Sequence, residues 1–197
     1  MRYSFAGSDE LAAQIRQGTR PGVYAAANAK LPDELFAQKL VERPVAFATN
    51  ELVLATPKDS AIRTLADLEP EDADLVVGER DVPIGSYTRD VLDRLPEAQR
   101  ERILANVRSE ELDVAGIVGK LTQGAADAGI VYATDVAGSG GRLRAIALPR
   151  SLQPVVIYKA AVVSGAKNPG DARQFVDGLR SGRGQDALRE AGFGPAK

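Results

Sequence analysis

The chain has 197 residues, of which 44% are hydrophobic and 26% charged, and its net charge is -2. These values indicate a globular protein with room for one large or two small domains, and they do not favour binding to nucleic acid or to an anionic membrane. Cysteine and histidine are absent, which excludes thiol nucleophiles, disulfides and Cys/His zinc sites and removes the most common general base.

The apolar pattern predicts short buried strands that alternate with helices. In chain order, the predicted strands are Arg2–Ala6, Val23–Ala27, Leu52–Ala55, Leu75–Gly78, Ala128–Tyr132, Leu143–Leu148 and Val155–Val163. The predicted helices are Asp9–Gln17, Pro32–Leu40, Ile62–Leu68, Ser86–Leu95, Glu97–Ala105, Val114–Gln123 and Ala172–Leu179. This alternation predicts an α/β fold with mostly parallel sheets. Residues 1–5 do not have the pattern of a signal peptide, and no segment approaches the length of a membrane span, so we expect no direct membrane insertion.

Three turns place small residues between the end of a strand and the start of a helix. They contain Gly7 and Ser8, then Ile84 and Gly85 after Pro83, and finally Asp113 with Val114. The first N–H groups of a helix have no partner inside the helix and carry partial positive charge, so such turns can bind anions without Lys or Arg. Each turn is equally typical of an α/β protein with no ligand there, and Tyr132 alone is typical of a packing tyrosine.

Four segments follow one another in the order FAGS at 5–8, NELVLATPK at 50–58, VPIGSY at 82–87 and GIVYATD at 129–135. Together they resemble one family, the molybdate- and tungstate-binding proteins of the periplasmic-binding-protein type II class. The C-terminal residues Gly192, Phe193 and Gly194 resemble the ending of the wider class only.

The resemblance implies a two-lobed α/β fold with a ligand cleft between the lobes. Lobe I would comprise residues 1–48 and 137–197, and lobe II residues 49–136. Lobe I would be incomplete at its N-terminus, because the strand and AAASL-like segment that usually come first in the family are not found in this sequence.

The resemblance also implies a site for a tetrahedral oxyanion. The hydroxyl donors would be Ser8 and Tyr132, and the backbone donors Ile84 and Val114. The protein would be a monomeric receptor in the periplasm or on the cell surface. If it is not exported, it would be cytoplasmic. It would release molybdate or tungstate to the membrane permease of an ABC importer, with no cofactor and no direct cation ligand.

Two positions depart from the family pattern: Asp9 stands where Ser or Thr is usual, and Asn28 where Asp is usual. One alternative keeps the fold but makes the chain an intracellular oxyanion-sensing or effector-binding module, or a non-functional remnant. Another is an enzyme that uses Asp113 or Asp135 as an acid or base. The lack of His, Cys and a convincing carboxylate pair disfavours the enzyme.

Overall fold

The computed structural model describes residues 2–70 and 72–196. Its helices are α1 (Ser8–Arg16), α2 (Lys30–Ala37), α3 (Pro83–Leu92), α4 (Glu97–Ala105), α5 (Val114–Gln123), α6 (Ala133–Ala137), α7 (Pro169–Gly178) and α8 (Gly182–Glu190), with a 3₁₀ turn at Leu65–Leu68. Its strands are β1 (Val23–Ala26), β2 (Val45–Asn50), β3 (Leu52–Pro57), β4 (Leu75–Gly78), β5 (Val107–Glu111), β6 (Ala128–Tyr132), β7 (Leu143–Ala147), β8 (Val156–Val162) and β9 (Gly194–Pro195). The predicted α/β class is confirmed. The chain divides into two compact units: unit 1 is Met1–Asn50 with Val156–Lys197, and unit 2 is Glu51–Val155.

Unit 1 contains a four-stranded antiparallel sheet in the order β1-β8-β2-β9. Successive residues of β8 point to opposite faces of this sheet. Ala161 belongs to a buried cluster with Ile15 of α1 and Leu35 of α2. Its neighbour Ala160 belongs to a second cluster, with Val176 of α7. Both faces of the sheet are therefore covered by helices.

Unit 2 contains a five-stranded mixed sheet in the order β5-β4-β6-β3-β7. The first three strands run parallel, whereas β3 is antiparallel to both of its neighbours. Every residue of β4 and β6 is buried, as expected for strands covered on both faces. The apolar runs in the sequence thus mark the centre of this sheet.

The described sheets contain more antiparallel pairing than the sequence pattern predicted. Parallel neighbours need a crossover of about a dozen residues or more, and helices supply it between β4, β5 and β6. In unit 1, β8 comes from more than a hundred residues along the chain and lies between β1 and β2, antiparallel to both. Local periodicity carries no information about such a distant insertion.

The segment 137–155 was expected in lobe I, but it falls within unit 2. The reason is β7, which pairs along its length with β3 and so extends the sheet of unit 2.

The predicted strand Arg2–Ala6 is absent, and residues 2–7 have no regular secondary structure. In this segment, Tyr3 is 64% and Phe5 89% exposed. Their rings stack on each other with centroids 6.0 Å apart. Among the described strands, β1 has only β8 as a neighbour, and a groove of about 1190 Å³ is lined by both β1 and residues 2–6. In the part of the chain that the structure describes, the segment joins neither sheet.

The helices in residues 2–70 and 72–196 are all too short or too polar to cross a membrane.

Candidate functional site

The candidate site in unit 2 lies at the edge of the sheet where its three parallel strands end. Gly78 at the end of β4 is level with Glu111 at the end of β5, and Val76 of β4 is level with Gly129 of β6. The chain leaves these strands to enter α3, α5 and α6. Ligands of open α/β sheets bind beyond such carboxyl ends. The topology therefore brings Ile84, Val114 and Tyr132 to one edge.

The start of α3 presents two backbone N–H groups. Val82 is the N-cap, and Pro83 occupies the first turn without contributing an N–H group. The N–H of Ser86 donates to the carbonyl of Val82 at 2.9 Å. The intrahelical pattern gives no partner to the N–H groups of Ile84 and Gly85, which can therefore serve an anion.

The side chain of Ile84 packs into unit 2 and does not occupy this edge. It is 2% exposed, and a Cβ atom added to Gly78 would lie 2.6 Å from its Cγ2. A Cβ atom on Gly85 would lie 1.7 Å from the carbonyl oxygen of Glu79. The two glycines thus let the start of α3 lie directly against the end of β4, and only the backbone of Ile84 is offered to a ligand.

The start of α5 is capped by a carboxylate. Asp113 is in the extended conformation of an N-cap, and its Oδ1 accepts a hydrogen bond from the N–H of Gly116 at 2.9 Å. This leaves the N–H groups of Val114 and Ala115 without an intrahelical partner.

Two ion pairs connect these helices to β5. Arg89 of α3 is 2.6 Å from Glu110, and Lys120 of α5 is 2.6 Å from Glu111. Neighbouring residues of a strand point to opposite faces of the sheet, so β5 contacts one helix on each side. The charges of Arg89 and Lys120 are thereby compensated within unit 2.

Tyr132 is the last residue of β6 and is only 3% exposed. It pairs with Leu52 of β3, and its N–H donates to Asp135 Oδ2 at 3.0 Å. Its ring meets the ring of Tyr87 edge-to-face, with centroids 6.4 Å apart and an interplanar angle of 79°. Burial raises the pKa of Asp135 to about 6, against a smaller opposing effect of the hydrogen bond from Tyr132. Asp113 and Asp135 both accept backbone hydrogen bonds at helix starts.

Ser8 lies in unit 1, where it is the first residue of α1 after Gly7. Its Oγ accepts a hydrogen bond from the N–H of Ala27 at 3.1 Å, and its carbonyl accepts one from the Tyr24 hydroxyl at 2.7 Å. Burial, followed by the charge of Asp9, raises the pKa of Tyr24. The Ser8 hydroxyl is an acceptor in its bond to Ala27, so its own hydrogen can be donated to a ligand.

The two departures from the family pattern lie close to Ser8. Asn28 Oδ1 accepts a hydrogen bond from the N–H of Leu31 at 3.1 Å, and asparagine is as good a helix cap as aspartate. Asp9 differs, because its Oδ1 is buried and has no hydrogen-bond partner among the described residues. Asn28 can therefore make the same hydrogen bond as the usual aspartate. At Asp9, in contrast, a buried carboxylate oxygen has no hydrogen-bond donor beside it.

Sequence reasoning did not identify the contact between Tyr87 and Tyr132. The helical spacing gave part of the information, since Tyr87 follows Pro83 by four residues and the two residues therefore lie on the same face of α3. Its partner lies in a strand more than forty residues away, and helical spacing alone does not show that. In residues 2–70 and 72–196, no cluster of three or more Asp or Glu side chains is arranged to hold a metal ion.

Helix starts with unpaired N–H groups at the carboxyl ends of parallel strands are typical places for an anionic solute to bind in α/β proteins. Residues 1–194 match the family of bacterial extracellular solute-binding proteins, and the chain belongs to that family. Within it, the chain is 35% identical to the molybdate-binding protein ModA of Mycobacterium tuberculosis (strain ATCC 25618 / H37Rv) over 196 residues, which are 98% of this chain and 73% of that protein. It is 28% identical to ModA of Haemophilus influenzae over 202 residues, covering 97% of this chain and 77% of that protein.

Solved structures show the same fold. The periplasmic molybdate-binding protein of Azotobacter vinelandii superposes with a TM-score of 0.83 at 17% identity, covering 98% of this chain and 87% of that one. The substrate-binding domain of a putative molybdenum ABC transporter from Clostridium difficile gives a TM-score of 0.72 at 25% identity, with coverages of 98% and 85%. The resemblance inferred from the sequence motifs is confirmed.

Proposed function

We propose that this chain binds a tetrahedral oxyanion, molybdate or tungstate, as the receptor component of an ABC importer. The observation that carries the proposal is the meeting of three strand ends in unit 2, which brings the N–H groups of Ile84 and Val114 to the same edge as Tyr132. Ser8 supplies the hydroxyl donor of unit 1. The relatives are named molybdate-binding proteins, which supports molybdate as the ligand. They also support a receptor over the alternative of an intracellular sensing module.

The ion would be held by neutral dipoles and hydrogen bonds. Helix starts carry about half a positive charge, and hydrogen bonds to an ionised acceptor are roughly twice as strong as neutral ones. Because these groups are all donors, they suit a fully ionised dianion whose oxygens only accept hydrogen bonds. Monohydrogen phosphate would bring an O–H group that lacks an acceptor among these donors. We expect weaker binding of sulfate, which is smaller than molybdate.

We propose the rest of the role by analogy with the family. The protein would act outside the cytoplasm as a monomer, pass the ion to a membrane permease, and use neither a cofactor nor a covalent step. No nucleic acid would take part.

Calorimetric titration of the 197-residue chain with molybdate, tungstate, sulfate and phosphate tests the proposal. We expect one ion bound per chain, with molybdate and tungstate at least a hundredfold tighter than the other two. Absence of heat with all four ions, or a preference for sulfate or phosphate, would contradict it.

A further inference from the structure

The ring of Tyr132 is fixed separately from its backbone. The backbone is held by pairing with β3 and by the hydrogen bond from its N–H to Asp135. Neither interaction sets the side-chain torsion angles. The ring of Tyr87 contacts the Tyr132 ring edge-to-face at 6.4 Å, within the 4.5–7 Å range of favourable aromatic pairs.

This contact acts on the torsion that matters for a hydroxyl donor. The phenolic oxygen lies on the axis of the ring, so rotation about χ2 leaves it in place, whereas rotation about χ1 moves it by several ångströms. An O–H group makes a good hydrogen bond only over about 2.5–3.0 Å. A neighbour that limits χ1 therefore decides whether the Tyr132 hydroxyl is in position before a ligand arrives.

The backbone of Tyr87 has little freedom, because Tyr87 belongs to a helix whose start is tightly packed. Gly85, two residues earlier, lies so close to the carbonyl of Glu79 that it has no space for a Cβ atom. The same turn of α3 carries the N–H group of Ile84. Because the Tyr87 ring belongs to this part of α3, its contact with Tyr132 couples the position of the Tyr132 ring to that of the Ile84 N–H group.

We infer that Tyr87 is a positioning residue for ligand binding, which holds the Tyr132 hydroxyl at a fixed spacing from the Ile84 N–H. This inference rests on the proposed function. It assigns the role to the Tyr87 ring and not to its hydroxyl, so phenylalanine at position 87 is sufficient.

A double-mutant cycle measured by molybdate titration tests the inference. Tyr87→Ala should weaken binding about three- to tenfold and Tyr132→Phe about ten- to a hundredfold, while Tyr87→Phe should stay within about twofold of the unmodified chain. In the Tyr132→Phe background, Tyr87→Ala should weaken binding less than twofold more, because no hydroxyl remains to be positioned. Equal losses in both backgrounds, no loss with Tyr87→Ala, or an equal loss with Tyr87→Phe would each overturn it.

A second readout needs no ligand. The chain contains five tyrosines, so incorporation of 3-fluorotyrosine gives a simple ¹⁹F spectrum in which the Tyr132→Phe variant identifies the Tyr132 resonance. Tyr87→Ala should shift and broaden that resonance, whereas Tyr87→Phe should change it less. An unchanged Tyr132 resonance would overturn the inference even if molybdate binds. If no oxyanion binds, the proposed function fails, and this spectrum still decides whether Tyr87 orders the ring.

Discussion

Asp113 accepts a hydrogen bond from the backbone of Gly116 at 2.9 Å and so satisfies one of the unpaired N–H groups at the start of α5. At the start of α3, Pro83 has no N–H group, so no hydrogen-bond partner is needed at that position. Two N–H groups at each helix start consequently have no partner within the helix, those of Ile84 and Gly85 in α3 and those of Val114 and Ala115 in α5. The donor used for capping therefore differs from the donors that we propose for the anion.

The cap at Asp113 predicts different effects for two substitutions. Asp113→Ala should lower the free energy of unfolding by about 1 kcal/mol, since an N-cap typically contributes 0.5–2 kcal/mol. Asp113→Asn should leave it nearly unchanged, because the amide oxygen still accepts from Gly116. Urea unfolding of the two variants measures the difference, and equal losses would show that the charge, not the hydrogen bond, stabilises α5. The Asn variant should bind molybdate at least as tightly as the unmodified chain, because a negative charge is removed near the proposed ligand.

The close contact at Gly85 predicts that even a methyl group is not tolerated there. Gly85→Ala would place its Cβ 1.7 Å from the Glu79 carbonyl oxygen, so the start of α3 must move. Overpacking of this kind costs about 1–3 kcal/mol, and molybdate binding should weaken more than tenfold. Gly119→Ala in α5 is the matched control, because a Cβ there meets no atom within 4 Å. The control should raise stability by roughly 0.5–1 kcal/mol through helix propensity. Thermal unfolding and titration of both variants test this, and an unaffected Gly85→Ala protein would refute it.

The buried carboxyl of Asp135 predicts a pH-dependent stability. Its folded-state pKa of about 6 lies above the ordinary value of 3.8, so the folded protein binds the proton more tightly than the unfolded chain does. This contribution is fully present below about pH 4 and is lost as the pH rises through 6. Asp135→Asn imitates the protonated form and can still accept from the N–H of Tyr132. It should therefore be more stable than the unmodified chain at pH 8, by up to about 3 kcal/mol for two pKa units, with the difference vanishing near pH 4.

Asp67 provides a control for the Asp135 experiment, because its pKa is shifted in the opposite direction. Its carboxylate accepts hydrogen bonds from the N–H groups of Arg63 and Thr64 at 2.8 and 2.9 Å, which lower its pKa. Its contribution is present above the pKa of the unfolded chain and is lost as the pH falls. Asp67→Asn should thus destabilise at neutral pH and not in acid. Urea unfolding at pH 4, 6 and 8 compares the variants, and parallel profiles for Asp67→Asn and Asp135→Asn would contradict both assignments.

The unpaired carboxylate oxygen of Asp9 predicts tighter binding when its charge is removed. Two like charges about 4 Å apart repel by roughly 4 kcal/mol at an effective dielectric constant near 20, and by far less when one faces water. Asp9→Ser should therefore tighten molybdate binding about tenfold. Glu10→Ser is the control, because it removes the same charge from the same turn of α1 at an exposed position, and it should change the affinity less than twofold. If Asp9→Ser instead abolishes molybdate binding, Asp9 supports the binding site, and the assignment of a repulsive charge to it is wrong.

The sequence predicted four elements of unit 2 with their observed bounds, including the fully buried strands β4 and β6. The bounds of β4, α4, α5 and β6 agree with the structure to the residue. Strand β5 was missed because only its alternate residues are partly buried and it contains Arg108 and two glutamates, as suits an edge strand. Strand β2 was missed because an irregularity between Ala46 and Ala48 interrupts its alternation.

The candidate site was predictable only in part. Ser8, Ile84, Val114 and Tyr132 were found through motif resemblance, and the structure places three of them at one sheet edge. Their role as ligand contacts stays a prediction. The aromatic contact of Tyr87 and the raised pKa of Asp135 depend on burial and on neighbours from other elements, which no local pattern contains.

The position of β8 between β1 and β2 has a consequence for biosynthesis. Unit 2 is one continuous stretch, Glu51–Val155, and all of its strands have left the ribosome before β8 does. The sheet of unit 1 cannot close until Val156–Val162 emerges, because that strand joins β1 and β2 among the described strands. Domains generally fold as units during synthesis. Unit 2 can therefore fold while β1 and β2 still lack the strand that pairs with both.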